Sequence, residues 1–156
     1  MVGPCEFNGF PDKFPGTFST RIRLKQKTRS LEDLFYVTEM VSTLAWIRSG
    51  EQYPREKIKE AIIRILRCNF HDGLPGCHVD AAYTQIMKQL RLSELTLKRI
   101  LRKALDAYVH SIEGSSPSQL PEALVVLNPL SVPYSGLVKF QLPEGIDRFT
   151  IRNRKG

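Results

Sequence analysis

The sequence predicts an α+β fold in a single domain over residues 1–156. Three observations lead to this prediction. Residues 17–27 alternate between apolar and polar side chains, as in a half-buried strand. Residues 31–112 repeat their apolar side chains at helical spacing. Beyond residue 118 the repeat gives way to short apolar runs separated by Pro and Gly, which is typical of a small β region, at about 123–152.

Four helices account for the apolar repeats, and their expected bounds are 31–48, 54–67, 81–91 and 94–112. Ser30 is the expected cap of the first helix, and Gly50 is its expected end because Gly adopts the left-handed conformation without a Cβ penalty. Pro54 suits the first turn of the second helix, where its missing N–H would have no partner in any case. We expect an irregular arm at 1–16 and a flexible connector at 114–118, since both are rich in turn-forming residues.

The composition is that of a basic globular protein. Lys and Arg number 23 against 16 Asp and Glu, which gives a formal charge of +7. Such an excess favours a polyanionic partner, either nucleic acid or an anionic membrane surface. The three cysteines cannot all pair within the chain, so we expect reduced thiols and a cytoplasmic or nuclear location. The longest aliphatic run, at 123–127, is far too short to cross a bilayer, so no transmembrane segment is expected.

A leucine-rich junction separates the third and fourth predicted helices. Leu90 ends one helix, Leu92 lies in the turn, Ser93 caps the next helix, and Leu97 packs back on Leu90. This spacing, over residues 85–101, resembles the helix-turn-helix motif of DNA-binding proteins. The resemblance implies that the second helix presents its cations to phosphates or guanine edges. These cations are Lys98, Arg99, Arg102 and Lys103. The same spacing also fits two angled helices with a solvated charged face.

Five cations alternate along the predicted strand and just beyond it, with no acid between Asp12 and Glu32: Arg21, Arg23, Lys25, Lys27 and Arg29. On an extended strand they would project from one face about 6–7 Å apart. That spacing is similar to the separation of neighbouring phosphates, so the ladder could contact a nucleic acid or an anionic lipid surface. The alternative is a solvated face that keeps an edge strand from aggregating.

Two cysteines and two histidines fall within 11 residues, namely Cys68, His71, Cys77 and His78. Together they could supply four ligands to zinc. Their spacing matches no zinc finger, and the adjacent side chains of Cys77 and His78 diverge. We therefore expect no metal and no cofactor, and we interpret the cysteines as reduced structural residues.

The sequence does not predict an enzyme, because it has no phosphate-binding, dinucleotide-binding or nucleophile-elbow motif. The favoured function is nucleic-acid binding, with the fourth predicted helix as the main contact and the basic ladder adding backbone contacts. The alternative is an assembly or adaptor protein of viral matrix or accessory type. In that case the basic residues would face an anionic surface, and the helical faces would bind protein partners or a second copy of the chain.

Overall fold

The protein is described by a computed structural model over residues 16–113 and 125–140. It contains three helices: α1 (Ile22–Ser49), α2 (Arg55–Cys68) and α3 (Asp80–Glu113). The chain divides into a unit of residues 1–125, which holds all three helices, and a unit of residues 126–156. No strand occurs among the described residues, so the predicted α+β class is wrong.

The three helices form an up-down-up bundle in which α3 contacts both of the others. α1 runs parallel to α3, because Arg21 before α1 pairs with Asp80 at the start of α3, and Glu51 after α1 pairs with Lys103 near its far end. α2 runs antiparallel to α3. Ser93 Oγ donates to the Ala61 carbonyl over 3.1 Å, and Cys68 Sγ lies 3.9 Å from the Ile86 carbonyl.

Buried side chains recur at alternating steps of three and four residues on every helix. On α2 they are Ile58, Ala61, Ile65 and Cys68; on α3 they are Leu90, Ser93, Leu97, Ile100 and Ala104. On α1 the same steps pass through Leu24, Thr28, Leu31, Phe35, Thr38, Ser42 and Ala45. A repeat of 3.5 residues keeps each stripe facing its neighbours along the whole helix, as in coiled coils and helix bundles.

The predicted strand at 17–27 is a turn followed by the first turns of α1. The alternation of polar and apolar residues is real, but Leu24, Thr28 and Leu31 are buried at helical spacing and continue the stripe of α1. The helix expected at 31–48 therefore begins nine residues earlier, and Ser30 lies inside it. It ends at Ser49 as expected, where Gly50 has φ 73° and donates its N–H to the Trp46 carbonyl.

The helices expected at 81–91 and 94–112 are one continuous helix, α3. Ser93 does not cap a helix, because its side chain is fully buried and bonds to α2. Leu90 and Leu97 lie one heptad apart on a single stripe rather than meeting across a turn. Arg91 occupies the turn position where a helix-turn-helix usually has Gly, and it fits the helix without needing a positive φ. The second predicted helix, at 54–67, agrees with α2 to within one residue.

The second unit is described over residues 126–140, and these contain no helix or strand. Asn128 folds the chain locally: its Nδ2 donates to the Val132 carbonyl over 2.8 Å and its Oδ1 accepts from the Leu130 N–H over 3.0 Å. The β region predicted at 123–152 is therefore wrong over this range, and its remainder lies outside the described residues. The predicted connector at 114–118 and residues 1–15 of the predicted arm also lie outside them.

Across the described ranges, no helix combines the length and the apolar character that crossing a membrane requires.

The continuity of α3 can be tested by replacing Glu94 with Pro. Pro is tolerated at the first position of a helix but not in its interior, where it removes a backbone hydrogen bond and its ring clashes with the preceding turn. In a continuous α3, Glu94→Pro should lower the free energy of unfolding by about 3 kcal/mol or more. Glu94→Ala, the control, loses only the side-chain ion pairs and should cost about 1 kcal/mol or less. Urea unfolding followed by circular dichroism measures both, and equal losses would indicate a helix break at this position.

Candidate functional site

An extended group of exposed cations lies on α3. Residues 81–105 contain six cations and one acid, Glu94. Because the buried stripe occupies one side of α3, helical spacing turns the cations to the opposite side, where all six are exposed. We call this surface the outer face of α3; it comprises Lys88, Arg91, Leu92, Leu95, Lys98, Arg99, Arg102 and Lys103.

Four cations of the outer face are free of ion pairs to other described residues: Lys88, Arg91, Arg99 and Arg102. The remaining two are engaged, since Lys98 Nζ lies 3.0 Å from Glu94 and Lys103 Nζ lies 2.6 Å from Glu51. Lys88 and Arg102 are 14 residues apart, so the free cations extend over about 21 Å of helix. The outer face is therefore a continuous strip of largely uncompensated positive charge.

The single acid in this stretch of α3 is directed away from the outer face. Glu94 is half-buried and accepts hydrogen bonds from Lys27 of α1 and from Lys98. The hydrogen bond from Lys27, followed by that from Lys98, holds the pKa of the Glu94 carboxyl below its usual range. Glu94 consequently stays ionised, joins α1 to α3 and compensates only Lys98 among the cations of the outer face.

The basic ladder predicted for residues 21–29 does not exist as one face, because these residues wind around the start of α1. Arg23 and Arg29 are exposed, and Arg29 pairs with Glu32 over 2.9 Å. Lys27 is directed to Glu94. The other two cations, Arg21 and Lys25, contact the loop between α2 and α3.

Arg21 anchors that loop. Its guanidinium donates to the carbonyls of Gly76 over 3.1 Å and His78 over 2.7 Å, pairs with Asp80 over 2.9 Å, and lies 4.7 Å from the centre of the Tyr83 ring. These contacts accompany an unusual backbone, because Arg21 has φ 48°, a left-handed value that is rare outside Gly. Three hydrogen-bonded partners and one aromatic contact show that Arg21 is a structural residue of the bundle.

Lys25 supports the same loop from the next turn of α1. Its ammonium donates to the carbonyls of Thr20, Leu74 and Pro75 over 2.7, 3.0 and 3.2 Å. Partial burial lowers the pKa of Lys25 from its ordinary value, and the nearby Cys77 thiol opposes this shift. The ammonium of Lys25 thus binds backbone carbonyls of the same chain and not an external anion.

The four residues considered for zinc are not brought together. Cys68 is in the core, where burial raises the pKa of its thiol, and Cys77 is exposed. His71 extends into solvent, while His78 stacks on Tyr83 with its Nε2 3.1 Å from the Gly73 carbonyl. Over the described ranges, no three His, Cys, Asp or Glu side chains are grouped closely enough to hold a metal ion.

The sequence matches the family model of the alpha mannosidase middle domain over residues 12–107. The chain belongs to this family. The match includes α1 and α2 completely and α3 as far as Ala107, so the middle-domain region coincides with the helix bundle. No curated protein and no solved structure matches the chain.

Sequence reasoning found four members of the outer face of this middle domain, Lys98, Arg99, Arg102 and Lys103, but missed Lys88 and Arg91. It divided α3 at Ser93 and so placed these two cations on a separate helix. The repeat of buried residues at steps of three and four, running from Leu90 through Ser93 to Leu97, was the signal for one helix. The anchoring role of Arg21 had no comparable signal, because its partners lie 55 to 59 residues away.

Arg21 and Arg23 offer a matched test of structural against exposed cations. Arg21→Ala removes three hydrogen bonds and leaves two loop carbonyls without that donor, so the free energy of unfolding should fall by about 1–3 kcal/mol. Arg23→Ala changes an exposed residue and should stay within about 0.5 kcal/mol of the unmodified protein. Thermal and urea unfolding report both values. Equal stability of the two variants would mean that Arg21 does not anchor the loop.

Proposed function

We propose that this chain binds nucleic acid through the outer face of α3, and that it contacts the phosphate backbone rather than base edges. The observation that carries this proposal is the strip of four exposed cations without ion-pair partners among the described residues: Lys88, Arg91, Arg99 and Arg102. Cations that neutralise phosphates release condensed counterions, which supplies most of the affinity of sequence-independent binding.

The spacing of the strip supports phosphate contact. Side chains three or four residues apart on a helix have Cβ atoms about 5–6 Å apart, so long Lys and Arg side chains can reach successive phosphates. Leu92 and Leu95 are exposed between the cations, where they can contact sugars or unstacked bases. α3 has no turn at residues 91–93, so the proposal does not include a recognition helix entering the major groove by its N-terminus.

The test replaces the four free cations of the outer face together, as Lys88→Gln, Arg91→Gln, Arg99→Gln and Arg102→Gln. Affinity for a single strand and for a duplex should fall by tens-fold or more. The slope of log affinity against log salt should decrease by about 3–4 units for the duplex, because each phosphate contact contributes about 0.9. Fluorescence anisotropy over a salt series gives both quantities.

A second quadruple variant controls for total charge: Arg48→Gln, Arg55→Gln, Lys59→Gln and Arg67→Gln. These residues are exposed and free of ion pairs to other described residues. Both variants lower the formal charge by four, so long-range attraction changes equally. An equal loss in both would show that only net charge matters, and loss of binding to anionic liposomes without loss of nucleic-acid binding would favour a membrane surface.

The family match favours a second candidate, a helical domain that serves an alpha mannosidase. On this hypothesis the bundle has an architectural role and its faces bind other parts of that enzyme. Because an architectural domain needs no catalytic groups of its own, we expect on this hypothesis that the chain alone releases no nitrophenol from 4-nitrophenyl α-mannoside. Turnover above the buffer rate, abolished by heat denaturation, would assign catalysis to this chain and contradict both candidates.

A further inference from the structure

A groove of about 310 Å³ opens where α1 ends and α2 begins, against the second half of α3. Small side chains explain it. At the level of the groove, the buried stripes have the small residues Ser42, Ala45 and Ala104. Nearer the loop between α2 and α3, the core has larger Leu, Ile and Phe side chains instead. The helices therefore leave a hollow with an apolar floor that includes Ala45, Ile100 and Ala104.

The floor of the groove also contains a polar atom that lacks a partner. Ser42 is 2% exposed, and its Oγ has no hydrogen-bond partner within the described part of the chain. Neighbouring hydroxyls on α1 do have partners: Thr38 and Ser49 each donate to the carbonyl four residues earlier, over 2.6 Å. A buried hydroxyl without a partner is unfavourable and uncommon in native proteins, so a bound group that supplies the partner would remove the penalty.

The charges around the groove favour an anion. Lys57 and Arg99 line it and have no ion-pair partner among the described residues, whereas its two carboxylates are engaged, Glu51 by Lys103 and Glu60 by Arg64. The N-terminus of α2 adjoins the groove at Pro54, which makes no side-chain capping bond, but Glu56 lies in its first turn and partly compensates the positive end of that helix.

We propose that this groove binds a small phosphate monoester. The guanidinium of Arg99 and the ammonium of Lys57 would hold the phosphate, because Arg donors match phosphate oxygens in pairs and the Lys ammonium adds a second positive charge. The organic part of the ligand would be an aromatic ring that lies on the apolar floor and accepts a weak O–H···π hydrogen bond from Ser42 Oγ. The volume is at the lower end of the range for small-molecule sites, which suits a ligand of about ten to fifteen heavy atoms.

This proposal does not depend on nucleic-acid binding. Ser42 and Lys57 lie outside the outer face of α3, whereas Arg99 and Lys103 belong to both surfaces. The two proposals can therefore fail separately. Ser42→Ala and Lys57→Gln should weaken ligand binding while leaving nucleic-acid affinity within about twofold, since neither residue is on the strip that contacts phosphates.

The experiment titrates phenyl phosphate into the full chain and follows backbone amide shifts by NMR, with inorganic phosphate and benzyl alcohol as separate probes. Saturable shifts should centre on the groove, and each of the two partial probes should bind at least about tenfold more weakly than phenyl phosphate. Lys57→Gln and Arg99→Gln should each lower affinity about tenfold or more, as expected for the loss of a charge-assisted hydrogen bond. Ser42→Ala should lower it several-fold and remain folded, because it removes a hydroxyl that nothing in the described chain satisfies.

Arg67→Gln is the matched control for Lys57→Gln, since it removes an exposed α2 cation that does not line the groove. It should bind phenyl phosphate as the unmodified protein does. The proposal is overturned if no saturable shift occurs at millimolar phenyl phosphate, or if Ser42→Ala, Lys57→Gln and Arg67→Gln all bind alike. Circular dichroism verifies that each variant is folded. If Ser42→Ala is unfolded, the comparison of Lys57→Gln with Arg67→Gln decides the outcome, because both replace exposed residues.

Discussion

The buried stripe of α3 is the constraint on which the rest of the structure depends. Leu90, Ser93 and Leu97 are fully buried because α1 and α2 both pack on this helix, while they contact each other only slightly. Ser93 lies in that packing: its small side chain faces α2, and its hydroxyl donates to the Ala61 carbonyl instead of remaining unpaired. A larger side chain would separate the helices, and an apolar one would lose the hydrogen bond.

Because α1 and α2 both pack on one side of α3, the opposite side of α3 faces solvent. A helix with one buried stripe has one solvent-facing side, and on α3 that side carries Lys88, Arg91, Arg99 and Arg102. Glu94 lies on the flank toward α1, where Lys27 holds it. The largely uncompensated charge of the outer face therefore follows from helix packing, which places the one acid on the flank, between Lys27 and Lys98, and leaves the other cations exposed.

Cations elsewhere in the chain have a different role. Arg21 and Lys25 donate to carbonyls of the loop between α2 and α3, and Arg21 also joins the start of α1 to Asp80 at the start of α3. Gly76 lies so close to this anchor that an added Cβ would be 2.8 Å from a Thr20 methyl carbon, and its φ is +82°. The loop between α2 and α3 thus packs tightly against Arg21 and Thr20. The match to the alpha mannosidase middle domain includes both the loop and Arg21.

The sequence by itself determined the helical character of the middle of the chain, the end of α1 at Gly50 and the extent of α2, because a single Gly and one amphipathic repeat are local signals. It also identified four cations of the outer face. Only the tertiary structure decided that residues 17–27 are a turn and the start of a helix, and that Ser93 lies inside a helix. Alternation of polar residues fits a strand or an exposed helical turn equally, and a serine before an apolar repeat can cap a helix or be buried within it. The choice depends on partners distant in sequence, the Ala61 carbonyl for Ser93 and the 76–80 segment for Arg21, which bury or bond these side chains only after the helices pack.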